Sequence, residues 1–171
     1  MKHVLNTERL ILRRFEEHDL EAFYKLGTIP EVIRYAQAQP YVSMDDALQC
    51  MHKWPFHDYA TVGYGRFAVV WRETGEVIGF SGVKYLADLG ETELGYRFLP
   101  EYWGRGLATE AGQASIDFAR DVLGLKRLIG LVHPDNEGSA NVLTKLGFSI
   151  EKQMPFAGLD DVQVDVFARA I

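Results

Sequence analysis

Residues 91–122, ETELGYRFLPEYWGRGLATEAGQASIDFARDV, decide the fold. Over 91–99 the side chains alternate with period two. Leu94, Tyr96 and Phe98 share one face and Glu91, Glu93, Gly95 and Arg97 the other, which predicts a strand. Pro100 ends it, because proline brings no ladder donor. Leu107, Ala111, Ala114, Phe118 and Val122 then recur at helical spacing. Between strand and helix stand Gly104 and Gly106. A turn of this kind gathers free backbone N–H groups at the positive end of the helix dipole, and glycine lets an anion approach the main chain, so phosphate suits it. The alternative is a turn whose glycines only satisfy chain geometry. Two common phosphate patterns do not fit. Thr109 stands where the dinucleotide fingerprint has its third small residue, and the Gly-Lys-Ser/Thr ending of a P-loop is missing.

Working outward, RFAVVW (66–71) and VIGFSGVKY (77–85) read as strands joined by a turn at Gly75, and with 91–99 they predict an antiparallel meander. RLIGLV (127–132) predicts a strand parallel to 91–99, with the helix between them as a right-handed crossover. Residues 139–146 read as a short helix stopped by Gly147. A last strand pair follows at 148–153 and 162–168, joined by PFAGLDD. At the amino end, ERLILRRF (8–15) predicts a strand with Leu10 and Leu12 on one face. Asp19 opens a short helix stopped by Gly27, Pro30 opens another, and Ser43 caps a helix ended by Pro55. The fold class is α/β, or α+β: a mixed sheet with helices on its faces.

A chain of 171 residues, 47% apolar, suits a single domain spanning 1–171. Without an 18-residue apolar run or an apolar leader, the expectation is a cytoplasmic protein with no membrane partner. The balance of 24 acidic residues against 18 Lys and Arg, net -6, argues against nucleic acid and leaves room for a cationic substrate. Cys50 is the only cysteine, and the five histidines show no paired ligand spacing, so no metal is expected.

Three stretches in order, TERLILRRF, ELGYRFLPEYWGRGLATEA and HPDNEGSANVLTKLGF, span residues 7–148. Together they resemble the GCN5-related N-acetyltransferase (GNAT) family, in particular its ribosomal-protein alanine acetyltransferase branch. The resemblance implies the acyl-CoA N-acyltransferase fold, a centrally splayed sheet of about six or seven strands. It also implies transfer of acetyl from acetyl-CoA to a primary amine by direct attack in a ternary complex. The pyrophosphate then falls on the backbone of Trp103, Gly104, Arg105, Gly106, Leu107 and Ala108, with Thr109 next in the turn. Trp103 departs from the Arg or Gln usual at the first position. The pantetheine arm follows the strand through Leu94, Tyr96, Phe98 and Leu99. Asn136, Ser139 and Asn141 are its further contacts, and Arg105 and Lys145 are candidates for the 3'-phosphate.

An ammonium acceptor must lose a proton, and a carboxylate near the cleft serves that step. Glu93 is the first candidate base and Glu91 the reserve; otherwise each is a solvated strand-face carboxylate. Many relatives place a tyrosine acid where this chain has Thr144, so Ser139 is the candidate donor to the departing thiolate, or else a helix-cap residue. Residues 36–65, with Asp45, Asp46, His57 and Asp58, are expected to border the acceptor cleft. The acceptor is a protein N-terminal α-amine, or alternatively an amino acid, polyamine or antibiotic. A non-catalytic acyl-CoA-binding module is the third reading, and a homodimer is left open.

Overall fold

Strands β1 (Val4–Asn6), β2 (Leu10–Arg13), β3 (Arg66–Trp71), β4 (Val77–Leu86), β5 (Glu91–Phe98), β6 (Arg127–Val132), β7 (Ser149–Pro155) and β8 (Gln163–Ala170) form one sheet. Their order is β1-β2-β3-β4-β5-β6-β8-β7 in a computed structural model that describes residues 4–36, 39–156 and 162–171. The strand added to the expected set is β1, whose three residues are too few for alternation to show. Part of the PFAGLDD link lies outside the described residues.

The site is set by one unusual neighbour pair. β4 and β5 pair antiparallel from Gly79 opposite Phe98 to Leu86 opposite Glu91. β5 and β6 run parallel and are bridged at one position, Glu93 opposite Ile129. Beyond it the two strands part, so the β6-facing edge of β5 has no ladder partner there. Exposed edge N–H and C=O groups need another partner. The expected splay is therefore present, and it opens just after Glu93.

The crossover helix α5 (Leu107–Asp121) covers this split from one face. Leu107, Ala111 and Phe118 pack with Leu10, Leu12, Phe67 and Val69. Ile116 and Ala119 pack with Val83, Leu94, Leu128 and Val132. Each fully buried Leu, Ile or Phe contributes about 1.5–3 kcal/mol, which fixes the helix and with it the glycine turn at its start. Val122 stands outside this stripe, exposed at the C-cap.

Short helices α1 (Leu20–Leu26), α2 (Pro30–Ile33), α3 (Met44–Met51) and α4 (His57–Thr61) occupy the amino-terminal third. Phe23, Ala47 and Met51 pack there on Phe15 and on Ala68 of β3. Ser43 caps α3 as expected, its Oγ accepting from the Asp46 N–H at 3.1 Å. Pro55 does not end the helical run. It sits inside a π-turn, His52–Phe56, that passes directly into α4. The wider turn accommodates a residue with no N–H to give and a ring that clashes with the preceding turn. Cys50 packs on the Phe15 cluster, and burial pushes its thiol up, so it stays protonated.

The last helix, α6 (Glu137–Lys145), begins two residues before the expected start. Its cap is Asn136, whose Oδ1 accepts from the Ser139 N–H at 3.1 Å. An Asn cap satisfies one orphan donor of the first turn and leaves the Ser139 hydroxyl free for another partner. Among the described residues no helix is long and apolar enough to cross a membrane.

Candidate active site

Gly104 and Gly106 have φ of +69° and +75°, and Gly106 is the N-cap of α5. This is the left-handed region, where other L-residues lose about 1–2 kcal/mol. Crowding is not the reason for glycine. A Cβ at Gly104 would meet nothing within 4 Å, and one at Gly106 only Arg9 Nη2 at 3.7 Å. The space before the turn is open, and the first-turn N–H groups of α5 have no partner inside the helix.

The turn is braced from behind. Glu110, in the first turn of α5, accepts from Thr7 Oγ1 at 2.6 Å, from the Arg9 N–H at 2.9 Å and from Arg9 Nε at 2.7 Å. Arg9 Nη1 donates to the Arg105 carbonyl at 2.9 Å. Trp103 Nε1 donates to the Phe98 carbonyl at 2.7 Å, tying the turn to β5. The TERLILRRF opening is thus a brace for the glycine turn.

Burial pulls the Glu110 carboxyl up, and the bonds from Thr7 and Arg9 outweigh it, so the net shift is downward. A depressed folded value stabilises fully above the unfolded carboxyl range, ~4.3, and the contribution is lost as pH falls through the folded value. Glu110→Gln is expected to cost on the order of 2 kcal/mol at pH 7, with variant and wild type converging in acid. Urea unfolding at neutral pH and through the acid range measures this. A gap that persisted unchanged in acid would contradict the linkage.

A cleft of about 1000 Å³ runs from this turn along the split between β5 and β6. The turn lines it from Trp103 to Thr109, Arg105 excepted, and Leu94, Tyr96 and Phe98 line it from β5. Asn136, Ser139, Asn141 and Lys145 line it from α6 and its cap. Three expected residues fall elsewhere. Leu99 is buried beside the cleft, its N–H bonded to the Ile78 carbonyl. The Arg105 guanidinium lies over the rings of Trp71 and Tyr102, at 4.9 and 5.6 Å from their centroids, outside the cleft lining. Glu91 pairs with Arg127, which also holds Glu151, so the reserve base belongs to an ion-pair network off the cleft.

Glu93 lines the cleft at the bridge pair, its side chain 14% exposed. Its Oε2 accepts from Arg66 Nη2 at 2.6 Å, and Oε1 has no hydrogen bond among the described residues. On the same wall burial, and then the Arg66 charge, pull the Lys84 ammonium below its usual value. The same two causes bring the Arg97 guanidinium down to about 10.

Across the split, Tyr96 Oη lies 2.9 Å from the Ser139 carbonyl and 3.0 Å from Ser139 Oγ. A carbonyl only accepts, so Tyr96 gives its proton there and Ser139 donates its own to Tyr96. Burial pushes the phenol up to about 12, with Glu93 adding to the rise and Ser139 opposing it. Thr144 bonds its own helix, Oγ1 to the Ala140 carbonyl at 2.9 Å, and plays no part in the cleft.

Sequence reasoning missed Arg66, Phe80, Lys84 and Arg97 as cleft residues. Of residues 36–65, Ala36 alone among those described lines the cleft; Asp45, Asp46, His57 and Asp58 do not. Glu31, Val32, Arg34, Tyr35 and Ala36 line this side of the cleft. Alternation on β5 had put Arg97 on the Glu93 face, which was the available signal.

Residues 9–149 match the model of the acetyltransferase (GNAT) domain. The chain is 34% identical over 149 residues to the uncharacterized N-acetyltransferase p20 of Bacillus licheniformis, covering 86% of this chain and 83% of that protein. It is 31% identical to the spermidine N(1)-acetyltransferase of Escherichia coli K12, over 84% and 74% of the two chains. The ribosomal-protein-S5-alanine acetyltransferase structure from Vibrio fischeri superposes with a TM-score of 0.76 at 19% identity, over 98% of this chain and 96% of that one, a likeness of fold. The resemblance to the ribosomal-protein branch therefore widens to the family as a whole. The chain belongs to the GNAT acetyltransferase family, enzymes that move an acetyl group from acetyl-CoA to an amine.

Proposed function

We propose that this chain transfers acetyl directly to a primary amine in a ternary complex, with Glu93 and the Tyr96–Ser139 hydroxyl pair as its reacting groups. The observation that carries this is their placement. Glu93 sits at the one bridge between β5 and β6, and the hydroxyl pair spans the opening three residues on. Acetyl-CoA supplies the thioester. The unpartnered edge of β5 and the open space before Gly104 and Gly106 fit its arm and pyrophosphate.

Glu93 takes the proton of the acceptor ammonium at Oε1, directly or through one water, while Arg66 holds the other oxygen in place. The departing thiolate needs a donor. A phenol near 12 is a weaker acid than a thiol and does not surrender its proton to a thiolate, so Tyr96 acts by hydrogen bonding. Ser139 is the freer of the two hydroxyls, because its donation to Tyr96 is exchangeable for a hydrogen bond to sulfur, and the proton that completes the thiol is the second one the nitrogen loses after it has attacked. Tyr96→Phe is expected to lower kcat roughly tenfold, the scale of one hydrogen bond to a charged group, with the KM for acetyl-CoA changed little. Steady-state kinetics of Tyr96→Phe, Ser139→Ala and the double variant check this, and additive losses would show that the hydroxyls do not act as a unit.

The acceptor is a protein amino terminus or a small amine, and the 31% identity to a spermidine acetyltransferase favours including small amines. Initial velocities with both substrates varied test the direct transfer. Intersecting double-reciprocal lines are expected, whereas parallel lines would indicate an acyl-enzyme route.

A further inference from the structure

The wall of the cleft away from α5 carries charge that acetyl transfer itself does not use. On this face β5 presents Glu93, Gly95 and Arg97, and β4 presents Lys84 opposite Glu93 and Phe80 opposite Arg97. Arg66 of β3 lies over Gly95, where an added Cβ would be 2.7 Å from its Nε. The guanidiniums of Arg66 and Arg97 each stand 5.3 Å from the Phe80 ring centroid.

The carboxylates beside this wall are taken. Glu93 pairs with Arg66 at 2.6 Å, and Asp58 approaches Lys84 at 4.0 Å. Facing it, Glu31 and Arg34 bring one charge of each sign. Arg97 is left over. One of its five N–H groups donates to the Leu26 carbonyl at 3.0 Å, and no carboxylate among the described residues pairs with it. Arg66 adds a buried Nε with no partner among the described residues. A guanidinium that has lost most of its water and gained no counter-charge is costly, which is why Arg97 falls to about 10 while staying protonated at neutral pH.

We propose that this wall is an anion subsite centred on Arg97 and flanked by Arg66 and Lys84, so that the acceptor is an amine carrying a carboxylate on the same molecule. The amine half of this statement rests on the acetyl-transfer reading; the carboxylate half rests on the wall. A planar guanidinium matches a carboxylate through two parallel bonds, and a cleft with apolar walls strengthens the attraction. A polyamine would instead bring further positive charge toward Arg97, which disfavours it. A free amino acid and a peptide with an acidic side chain near its amino terminus share the required chemistry.

Product binding tests the subsite without relying on turnover. With CoA present, calorimetry compares N-acetylglycine, N-acetyl-β-alanine and N-acetyl-γ-aminobutyrate with their primary amides. A second arm compares amide-capped N-acetyl-Ala-Glu with N-acetyl-Ala-Gln. In at least one arm the carboxylate is expected to bind about tenfold or more tighter. Arg97→Met should remove the difference and Arg97→Lys should keep part of it, with acetyl-CoA titration reporting that each variant is folded. Preference in the first arm assigns a free amino acid, and preference in the second a peptide. In the wild type, raising salt should weaken the carboxylates and spare the amides, which tests the subsite even if the variants misfold.

Equal binding of carboxylates and amides in both arms, or no binding of any carboxylate, overturns the subsite. Spermidine acetylated faster than every carboxylated amine would also overturn it while leaving acetyl transfer standing. Failure to acetylate any amine would remove the acetyl-transfer reading, and the product-binding arms would still decide the subsite.

Discussion

Replacing Gly106 by aspartate is expected to abolish acetyl-CoA binding while leaving the protein folded. The fold survives for local reasons. Aspartate is among the few residues that enter the left-handed region readily, it is a favoured N-cap, and the nearest atom to its Cβ would be Arg9 Nη2 at 3.7 Å. Binding fails because the new carboxylate stands where the pyrophosphate must approach the first-turn N–H groups of α5. Two like charges ~4 Å apart in an effective dielectric of about 20 repel by about 4 kcal/mol, close to a thousandfold in Kd at about 1.4 kcal/mol per decade. Calorimetric titration of wild type and Gly106→Asp, with thermal unfolding as the control, reads the loss. Undiminished binding would move the pyrophosphate away from this turn.

Glu93→Gln is expected to lower kcat by about a hundredfold, the lower end of what a positioned general base contributes. Glutamine keeps the size of the side chain and still accepts from Arg66, so the wall is disturbed less than by alanine. It cannot take a proton. The Kd for acetyl-CoA should change little, because Glu93 stands at the bridge pair and away from the glycine turn. A rate and a pH profile matching the wild type would remove Glu93 as the base, and proton transfer would then belong to solvent.

Both expectations trace to features that were legible in the chain. The alternation of 91–99, the two glycines and the helical spacing after them specified strand, turn and crossover, because each signal is local. The splay was implied by the resemblance, and the single bridge between Glu93 and Ile129 locates it. Contacts between distant segments were not legible. Glu110 meets Thr7 and Arg9 across 103 and 101 positions of chain, and Tyr96 meets Ser139 across 43. No local pattern encodes such pairs. Arg66 reached the cleft through the register of β3 on β4 and β4 on β5, which composition does not reveal. The acidic stretch at 36–65 was expected to border the cleft. Asp58 approaches the cleft residue Lys84 at 4.0 Å without lining the cleft itself, and Asp46 completes the cap of α3, accepting from the Val42 N–H at 3.1 Å.

The brace behind the turn also explains how the link between β1 and β2 bears on chemistry it never touches. Arg9 holds the Arg105 carbonyl, and Glu110 holds Arg9, so the turn keeps its shape through a charge-assisted chain. Turns that bind phosphate through backbone groups depend on such support, since the backbone has no side chain with which to adjust.

Mass spectrometry of an amine panel incubated with acetyl-CoA, read alongside release of the CoA thiol, tests acetyl transfer most directly. One N-acetylated amine per thiol released by the wild type, and neither product from Gly106→Asp, is the predicted result. Acetyl-CoA bound by the wild type, with no amine acetylated, is the result that would contradict it.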